Sequence, residues 1–200
     1  MTWMLTVTGA VVDLRLADPS AISVLDIAHS LSLLNRYHGH TNRPYSVAEH
    51  SLMVVEIMER ELALHDPGAL LAGLLHDAHE AYIADLASPL KQAMQKIALA
   101  DGRTMCDYTR LERELQTQVL LRFGCYSDYA RHHAAIKHAD LLALATERRD
   151  LLPAGGPEWP LLNRMQPVQW VRLGERAGLD WQDWRQAYLD RFAVLYPLNR

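Results

Sequence analysis

Cysteine is scarce in this sequence, and long runs of apolar or like-charged residues are missing. The two cysteines, Cys106 and Cys125, form no CxxC pair and are too few for a disulfide framework. Free thiols in a reducing compartment are the simpler expectation. No apolar run approaches the roughly 20 residues that span a bilayer. The first residues lack a basic segment and reach an acid at Asp13, so they make a poor signal peptide. We therefore expect a soluble, cytoplasmic protein with no membrane partner.

The charge balance is mildly acidic. Twenty-four acidic residues against twenty basic ones give a formal net charge of −4, and no five like charges follow one another. A sequence-independent grip on a nucleic-acid backbone needs a basic surface, so we expect no polymeric nucleic acid as a partner. A small anionic ligand is compatible with this charge, because a few local cations suffice for one phosphate.

Apolar residues make up 50% of the 200 residues, which is enough for one core, and we expect a single domain spanning 1–200. Their spacing is helical almost everywhere. Helices are predicted from Ser23 to about Tyr37, from Ser46 to the turn at Asp66, from Ala69 to about Ile83, from Ser88-Pro89, from Thr104 to Phe123, from about Ser127, and from Trp181 to about Leu195. The prediction is an all-α bundle of six or seven helices. Leu5 to Leu16 is expected to form a short hairpin or an extended N-terminal arm.

Four ligand-capable residues lie in apolar helical surroundings: His50, the adjacent pair His76 and Asp77, and Asp140. Each has a simpler explanation by itself, such as a hydrogen-bonded core histidine or an acid paired with Lys137. Together they would leave several polar groups buried at high cost, which one shared cation would resolve. Two imidazoles and two carboxylates suit a divalent transition ion better than Ca²⁺.

Glu80 gives this cluster a hydrolytic character. It lies three residues after Asp77 and four after His76, where a carboxylate can take a proton from a water molecule. Asp85 follows close enough to face the same cleft. Lys91, near the start of the next predicted helix, could help to bind a phosphate.

The motifs resemble those of the HD-domain metal-dependent phosphohydrolases. The resemblance covers residues 25 to 150 and is carried by four segments: Tyr45-Ser-Val-Ala-Glu-His50-Ser, Leu74-Leu-His76-Asp77-Ala-His-Glu80, Asp85-Leu86, and His138-Ala139-Asp140. Within that superfamily the likeness is greatest to small bacterial 5′-deoxynucleotidases and related phage nucleotide phosphohydrolases. It rests there on Asn35-Arg36-Tyr37, the stretch His76 to Asp85, and Pro89 with Lys91.

The resemblance implies a role for each matching residue. The metal ligands would be His50, His76, Asp77 and Asp140, holding Co²⁺, Mn²⁺ or Zn²⁺. Glu80 would act on the nucleophilic water, and Asp85 would donate a proton or contact the sugar. Arg36 would reach the phosphate, and Tyr37 would stack on or bound the sugar or base. His38 and His40 either contact a phosphate chain or cap their loop. Members are often dimeric, so a homodimer is expected here.

The function expected from these residues is hydrolysis of a (deoxy)nucleoside 5′-monophosphate to nucleoside and phosphate. One alternative is a triphosphohydrolase of the same fold, which would release triphosphate from a (deoxy)nucleoside triphosphate. A further alternative is a metal- and nucleotide-binding sensor without turnover. The loop from Arg36 to Arg43 is where the far end of the substrate is expected.

Overall fold

A computed structural model describes residues 1–15 and 18–196. It confirms the all-α fold class, with eight α-helices and one small two-stranded sheet in these residues. The helices are α1 (Val24–Leu33), α2 (Val47–Arg60), α3 (Pro67–Leu74), α4 (Glu80–Ile83), α5 (Ser88–Ala100), α6 (Asp107–Arg122), α7 (Tyr126–Leu151) and α8 (Trp181–Leu195), and the strands are β1 (Trp3–Leu5) and β2 (Val11–Asp13). Short 3-10 turns lie at Pro19–Ala21, Arg36–Gly39, Pro160–Leu162 and Leu173–Arg176.

The N-terminal segment forms the hairpin that was one of two predicted outcomes. β1 and β2 pair antiparallel, with Trp3 opposite Asp13. The turn between them is fastened to α1, because the Thr8 amide and hydroxyl donate to the Asp26 carboxylate at 3.0 and 2.9 Å. Leu16, the predicted end of this segment, lies outside the described residues.

The core is built around α3, whose residues are all buried apart from Pro67. It packs against α2, α7 and α8. The aromatic residues Trp184, Tyr188 and Phe192 of α8 are buried, as their helical spacing predicts. The Tyr188 hydroxyl donates to the carbonyl oxygen of Leu74 at 3.0 Å, which satisfies an acceptor that the end of a helix leaves without an intrahelical partner.

The helix predicted from Ala69 to Ile83 is interrupted. α3 ends at Leu74, residues 75–79 form a turn, and α4 begins at Glu80. The prediction was wrong here because Leu75 and Ala78 keep the apolar spacing of a helix, and residues 75–79 contain no glycine or proline. The count of eight helices instead of six or seven follows from this interruption.

Three other helix ends differ from the predictions. α1 stops at Leu33 instead of Tyr37, because Asn35 is drawn into a β-bridge with Ser46. Ser88 and Pro89, whose order is typical of an N-cap followed by proline, are instead the first two residues of α5, and the N-cap position belongs to Ala87. α6 begins at Asp107, after an N-cap at Cys106, and not at Thr104.

Ser46 caps α2 as predicted, accepting a hydrogen bond from the Glu49 amide at 3.1 Å. The Glu49 side chain does not form a capping box with Ser46. Its carboxylate is buried and pairs with both terminal nitrogens of Arg43, at 2.7 and 2.8 Å. Arg43 also donates to the carbonyl of Leu173, so this ion pair ties the start of α2 to the C-terminal region.

α5 is the most exposed of the longer helices, with Ala98 as its one buried residue. Leu90 and Ile97, expected on its apolar face, are both exposed. Across residues 1–15 and 18–196, none of the helices combines the length and apolar character needed to cross a bilayer.

Candidate metal centre

The turn between α3 and α4 carries the adjacent pair His76 and Asp77. Its backbone hydrogen bonds join residues three apart: the Ala78 amide donates to the Leu75 carbonyl at 3.1 Å, and the Glu80 amide to the Asp77 carbonyl at 3.0 Å. In this 3-10-type geometry, side chains three residues apart eclipse one another. Asp77 and Glu80 therefore project from the same side of the turn.

Ligand atoms of His50, His76 and Asp77 lie within 4.8 Å of one another beside this turn, and Asp140 adjoins this group at His50. Nε2 of His76 lies 3.1 Å from Oδ2 of Asp77 and 3.3 Å from Nε2 of His50. Nε2 of His50 is also 3.6 Å from Oδ2 of Asp77 and 3.4 Å from Oδ1 of Asp140. The structure thus brings together His50 from α2, His76 and Asp77 from the turn, and Asp140 from α7.

The far nitrogen of each imidazole already has a partner. Nδ1 of His76 lies 2.8 Å from the carbonyl oxygen of Gly73, and Nδ1 of His50 lies 2.6 Å from Oε1 of Glu147. Both partners are acceptors, so each Nδ1 carries a proton and donates it. In the neutral imidazoles, each Nε2 then points a lone pair towards the other.

This donor set fits a divalent transition ion. Ligand atoms that share such an ion at bond lengths of about 2.0–2.2 Å lie about 3.0–3.5 Å apart. The contacts among His50, His76 and Asp77, at 3.1, 3.3 and 3.6 Å, fall close to that range. A mixed nitrogen and oxygen set also favours a transition ion over Ca²⁺, which takes oxygen ligands.

A proton competes with a metal for this position. Burial and the nearby Arg36 lower the pKa of His50, but the Glu147 and Asp140 carboxylates outweigh them and raise it to about 9. Metal-free protein therefore carries a positive charge on His50 at neutral pH, and a bound ion would displace that proton. The negative surroundings favour a cation in either state.

Asp140 uses its two oxygens differently. Oδ1 faces His50, whereas Oδ2 accepts a hydrogen bond from Nζ of Lys137 at 2.6 Å. The pairing with Lys137 is the simpler explanation that the sequence offered for this acid. The structure makes that pairing compatible with a ligand role, because a different oxygen is engaged.

Glu80 is buried beside the ligand turn, and its Oε2 has no hydrogen-bond partner among the described residues. Burial, followed by the negative charges of Asp77 and Asp85, raises the pKa of Glu80 well above its ordinary value. The unpartnered oxygen can accept a proton from a water molecule when a bound cation offsets these negative charges and keeps the carboxyl group ionised.

Asp85 is half-buried just after α4, and burial, aided by Asp77, raises its pKa against the opposing charge of Arg36. The backbone before it is strained, because Ala84 has φ 67° and ψ 159°, a region that only glycine adopts readily. The Tyr108 hydroxyl donates to the Ala84 carbonyl at 2.9 Å. This hydrogen bond from α6 holds the strained segment, and with it the position of Asp85.

Glu147 of α7 is a residue that the sequence analysis did not select. It is fully buried, and its carboxylate accepts hydrogen bonds from His50 Nδ1 at 2.6 Å, the Tyr37 hydroxyl at 2.5 Å and the Tyr45 hydroxyl at 3.1 Å. Burial raises its pKa, but the charges of Arg36 and His50 outweigh burial and lower it to about 2. This carboxylate fixes the orientation and tautomer of His50. Its spacing was a usable signal, since it follows Asp140 by seven residues, or two helical turns.

Arg36 and Tyr37, both predicted to contact substrate, approach the ligands from the loop after α1. Arg36 lies 3.6 Å from Oδ2 of Asp77 and 3.3 Å from Glu147, and its Nε has no partner in the described part of the chain. Tyr37 adopts a left-handed backbone conformation with φ 56°, which aims its hydroxyl at Glu147. In the structure both residues position the ligands, and their contact with substrate stays a prediction.

The structure places His38 and His40 away from the ligands. Nε2 of His38 accepts a hydrogen bond from the Ala87 amide at 3.4 Å, next to the start of α5. His40 lines a cavity of about 800 Å³, which also contains Arg148 and Trp159 and none of the four predicted metal ligands. A phosphate contact by either histidine stays a prediction.

Lys91 belongs to a second polar cluster beside Glu80. Its Nζ lies 2.5 Å from Oε1 of Glu112, and His79 lies 3.4 Å from the same oxygen. The Gln116 amide donates to the Leu75 carbonyl at 3.0 Å, so its oxygen faces His79 and fixes Nδ1 of that ring as a donor. Ligand atoms of His79, Glu80 and Glu112 lie within 4.8 Å of one another, and Lys91 supplies the compensating positive charge.

A cavity of about 1000 Å³ lies between α6 and α7 and reaches His76, Asp77 and Asp140. A small molecule in this cavity would contact three of the four predicted metal ligands directly. We call it the α6–α7 cleft.

Replacing Glu147 with glutamine should weaken metal binding by about 10–100-fold, the usual effect of removing the partner of a metal-binding histidine. The amide keeps the volume but loses the charge that orients His50. Competitive titration against a chelating indicator measures the change, and Glu158→Gln, in an exposed loop, is the control. Equal affinities in the Glu147 variant and the parent protein would remove this positioning role.

No known protein-family profile matches the chain. Two curated relatives do. The uncharacterized protein YfdR of Escherichia coli is 36% identical over 141 residues, covering 70% of this chain and 67% of the relative. An uncharacterized protein of Rhodobacter capsulatus is 35% identical over 156 residues, covering 74% of this chain and 72% of that protein. The chain therefore belongs to the family that YfdR and this Rhodobacter protein represent.

Proposed function

We propose that this chain is a divalent-metal-dependent phosphohydrolase of the HD-domain type, which converts a (deoxy)nucleoside 5′-monophosphate to nucleoside and orthophosphate. The observation that carries the proposal is the clustering of ligand atoms from His50, His76 and Asp77, with Asp140 next to His50. The vacant Oε2 of the buried Glu80 beside them supports hydrolysis over mere metal storage.

A divalent ion bound by these residues would supply Lewis acidity towards the phosphoryl group and lower the pKa of a water molecule towards roughly 7. Glu80 takes the proton that the water loses as its oxygen attacks phosphorus. The bond from phosphorus to the nucleoside oxygen breaks in the same displacement. Asp85, whose pKa burial raises, returns a proton to the departing oxygen, so that nucleoside and phosphate leave in balance.

Arg36 and Lys91 are the cations nearest to the proposed reaction. Nε of Arg36 has no hydrogen-bond partner among the described residues, and only one of the three Lys91 donors is taken up by Glu112. Both side chains therefore have donors left for non-bridging phosphate oxygens. Such donors stabilise the charge that develops on phosphorus in the transition state.

A reducing compartment such as the cytoplasm agrees with this proposal. Cys106 and Cys125 are both buried thiols and form no disulfide. Nucleotide hydrolysis without a polymeric nucleic acid is also in keeping with the net charge of −4.

The test is a panel of nucleoside mono-, di- and triphosphates with metal-loaded protein in Mn²⁺ or Co²⁺, with products resolved by chromatography. We expect orthophosphate and nucleoside from monophosphates. Tripolyphosphate from triphosphates would support the triphosphohydrolase instead. Tight nucleotide binding with every nucleotide left intact would support a sensor and overturn the hydrolase.

A further inference from the structure

In the α6–α7 cleft, a tyrosine and a histidine lie on the same face of α7 as the predicted metal ligand Asp140. Tyr129 and His133 precede Asp140 by eleven and seven residues on α7, which is three and two helical turns. All three residues line the cleft. At 1.5 Å per residue, they lie about 16 and 10 Å before Asp140 along the helix axis.

The two rings form one wall of the cleft. The ring centroids of Tyr129 and His133 are 5.6 Å apart, and the two ring planes are inclined at 72°. Tyr129 is half-buried, and burial, followed by the charges of Asp77 and Asp140, raises its pKa. The tyrosine side chain therefore lies within the electrostatic reach of the metal ligands.

The polarity of the cleft changes along its length. The charged residues of the lining are Asp77, Glu112, Arg113, Lys137 and Asp140, whereas the first turns of α7 contribute the uncharged Tyr126, Tyr129 and Ala130. A ligand that fits this gradient has an anionic head at the metal ligands and a flat, largely uncharged body towards Tyr129. A volume of about 1000 Å³ is at the upper end of the range of small-molecule sites.

We propose that the α6–α7 cleft binds the nucleoside part of the substrate, with the base against Tyr129 and His133 and the phosphate at the metal ligands. This inference rests on the proposed function. It moves the nucleoside away from the Arg36–Arg43 loop, where the sequence resemblance led us to expect it. Aromatic faces bind bases by stacking, which tolerates different bases, so we expect a broad base preference.

The experiment compares variants that keep or remove the aromatic face. In full-length, metal-loaded protein, Tyr129→Ala should raise the KM of a nucleoside monophosphate about tenfold or more, the usual scale of one stacking contact. Tyr129→Phe, which keeps the ring, should stay within about twofold of the parent KM. Neither change should alter the KM of p-nitrophenyl phosphate, which has no nucleoside. Trp159→Ala tests the rival position near the Arg36–Arg43 loop, because Trp159 lines the other cavity and its ring centroid lies 6.5 Å from that of Tyr37. Trp181→Ala, an exposed aromatic residue of α8, is the control and should change neither KM.

Two results would overturn the assignment: a raised nucleotide KM in Trp159→Ala with none in Tyr129→Ala, or an equal loss for both substrates in Tyr129→Ala. Binding of the nucleoside monophosphate, measured by calorimetry on the same variants, separates this inference from the proposed function. Affinity weakened by Tyr129→Ala in a protein without turnover would retain the cleft and reject the hydrolase. Turnover of p-nitrophenyl phosphate with no binding of nucleotide would retain the hydrolase and reject the cleft.

Discussion

Replacing Asp77 with alanine should abolish both metal binding and phosphate ester hydrolysis. Oδ2 of Asp77 lies 3.1 Å from His76, 3.6 Å from His50 and 3.6 Å from Arg36, so one atom links two ligands and the guanidinium. Without it the tight triad becomes a pair of imidazoles facing a positive charge. A metal supplies several kcal/mol of transition-state stabilisation, so we expect activity to fall by about 1,000-fold or more.

Metal content per chain, measured by plasma mass spectrometry after exhaustive dialysis, tests this directly. The parent protein should retain about one ion under conditions in which the Asp77 variant retains almost none. Asp101→Ala removes an exposed acid that pairs with Arg103 and should change neither property. If the Asp77 variant kept its full metal content, Asp77 would not be a ligand.

The proximity of the four predicted ligands could be anticipated from the sequence because their positions on the helices constrain it. His50 lies on the apolar face of a helix with a clear N-cap at Ser46, and Asp140 is a half-buried residue of a long helix, next to the buried Ala139. Polar residues in such positions need partners, and the sequence therefore predicts that these residues lie close to one another. The structure brings them within 3.1–3.6 Å in the contacts that link them.

The backbone conformation at His76 and Asp77 could not be predicted from the sequence. Leu74, Leu75 and Ala78 continue the helical pattern through the turn, and the choice of hydrogen bonds between residues three apart is made by tertiary packing. The same holds for the Arg36 loop. Arg36 contacts Glu147, which lies 111 residues later in the chain. No local sequence pattern predicts a contact over that separation.

Glu147 and the residues that line the cleft could be predicted in part. Counting helical turns from Asp140 along α7 places Glu147 two turns after it and His133 two turns before it. Periodicity therefore predicts which side chains share a face with a ligand. It does not say that α6 stands far enough from α7 to leave a cavity, because that spacing depends on residues from both helices.

Replacing Glu80 with glutamine should leave the metal bound and remove most of the turnover. The 3-10-type turn places Glu80 on the same side as Asp77, and its Oε2 is buried without a partner among the described residues. Glutamine has almost the same shape but cannot accept the proton of the water. General base catalysis contributes typically 100–10,000-fold, so we expect kcat to fall by about that factor while the metal content stays the same.

Glu112→Gln is the matched control, since Glu112 belongs to the same cluster but its oxygen is already engaged by Lys91 at 2.5 Å. Its kcat should fall less than about tenfold, because it takes no proton from the water. If kcat fell equally in both variants, the effect would come from the charge of the cluster. If kcat were unchanged in Glu80→Gln, Glu80 would not be the general base.

The thermal unfolding temperature of the Glu80→Gln variant tests the role of Glu80 independently of activity. Burial and two neighbouring carboxylates disfavour the charged form of Glu80, so folding pushes against its ionisation. A neutral amide of the same size escapes that penalty, and Glu80→Gln should unfold at the same temperature as the parent protein or a higher one. Activity lost without any loss of stability is the pattern expected of a residue kept for chemistry. A marked fall in unfolding temperature would instead identify Glu80 as a structural acid.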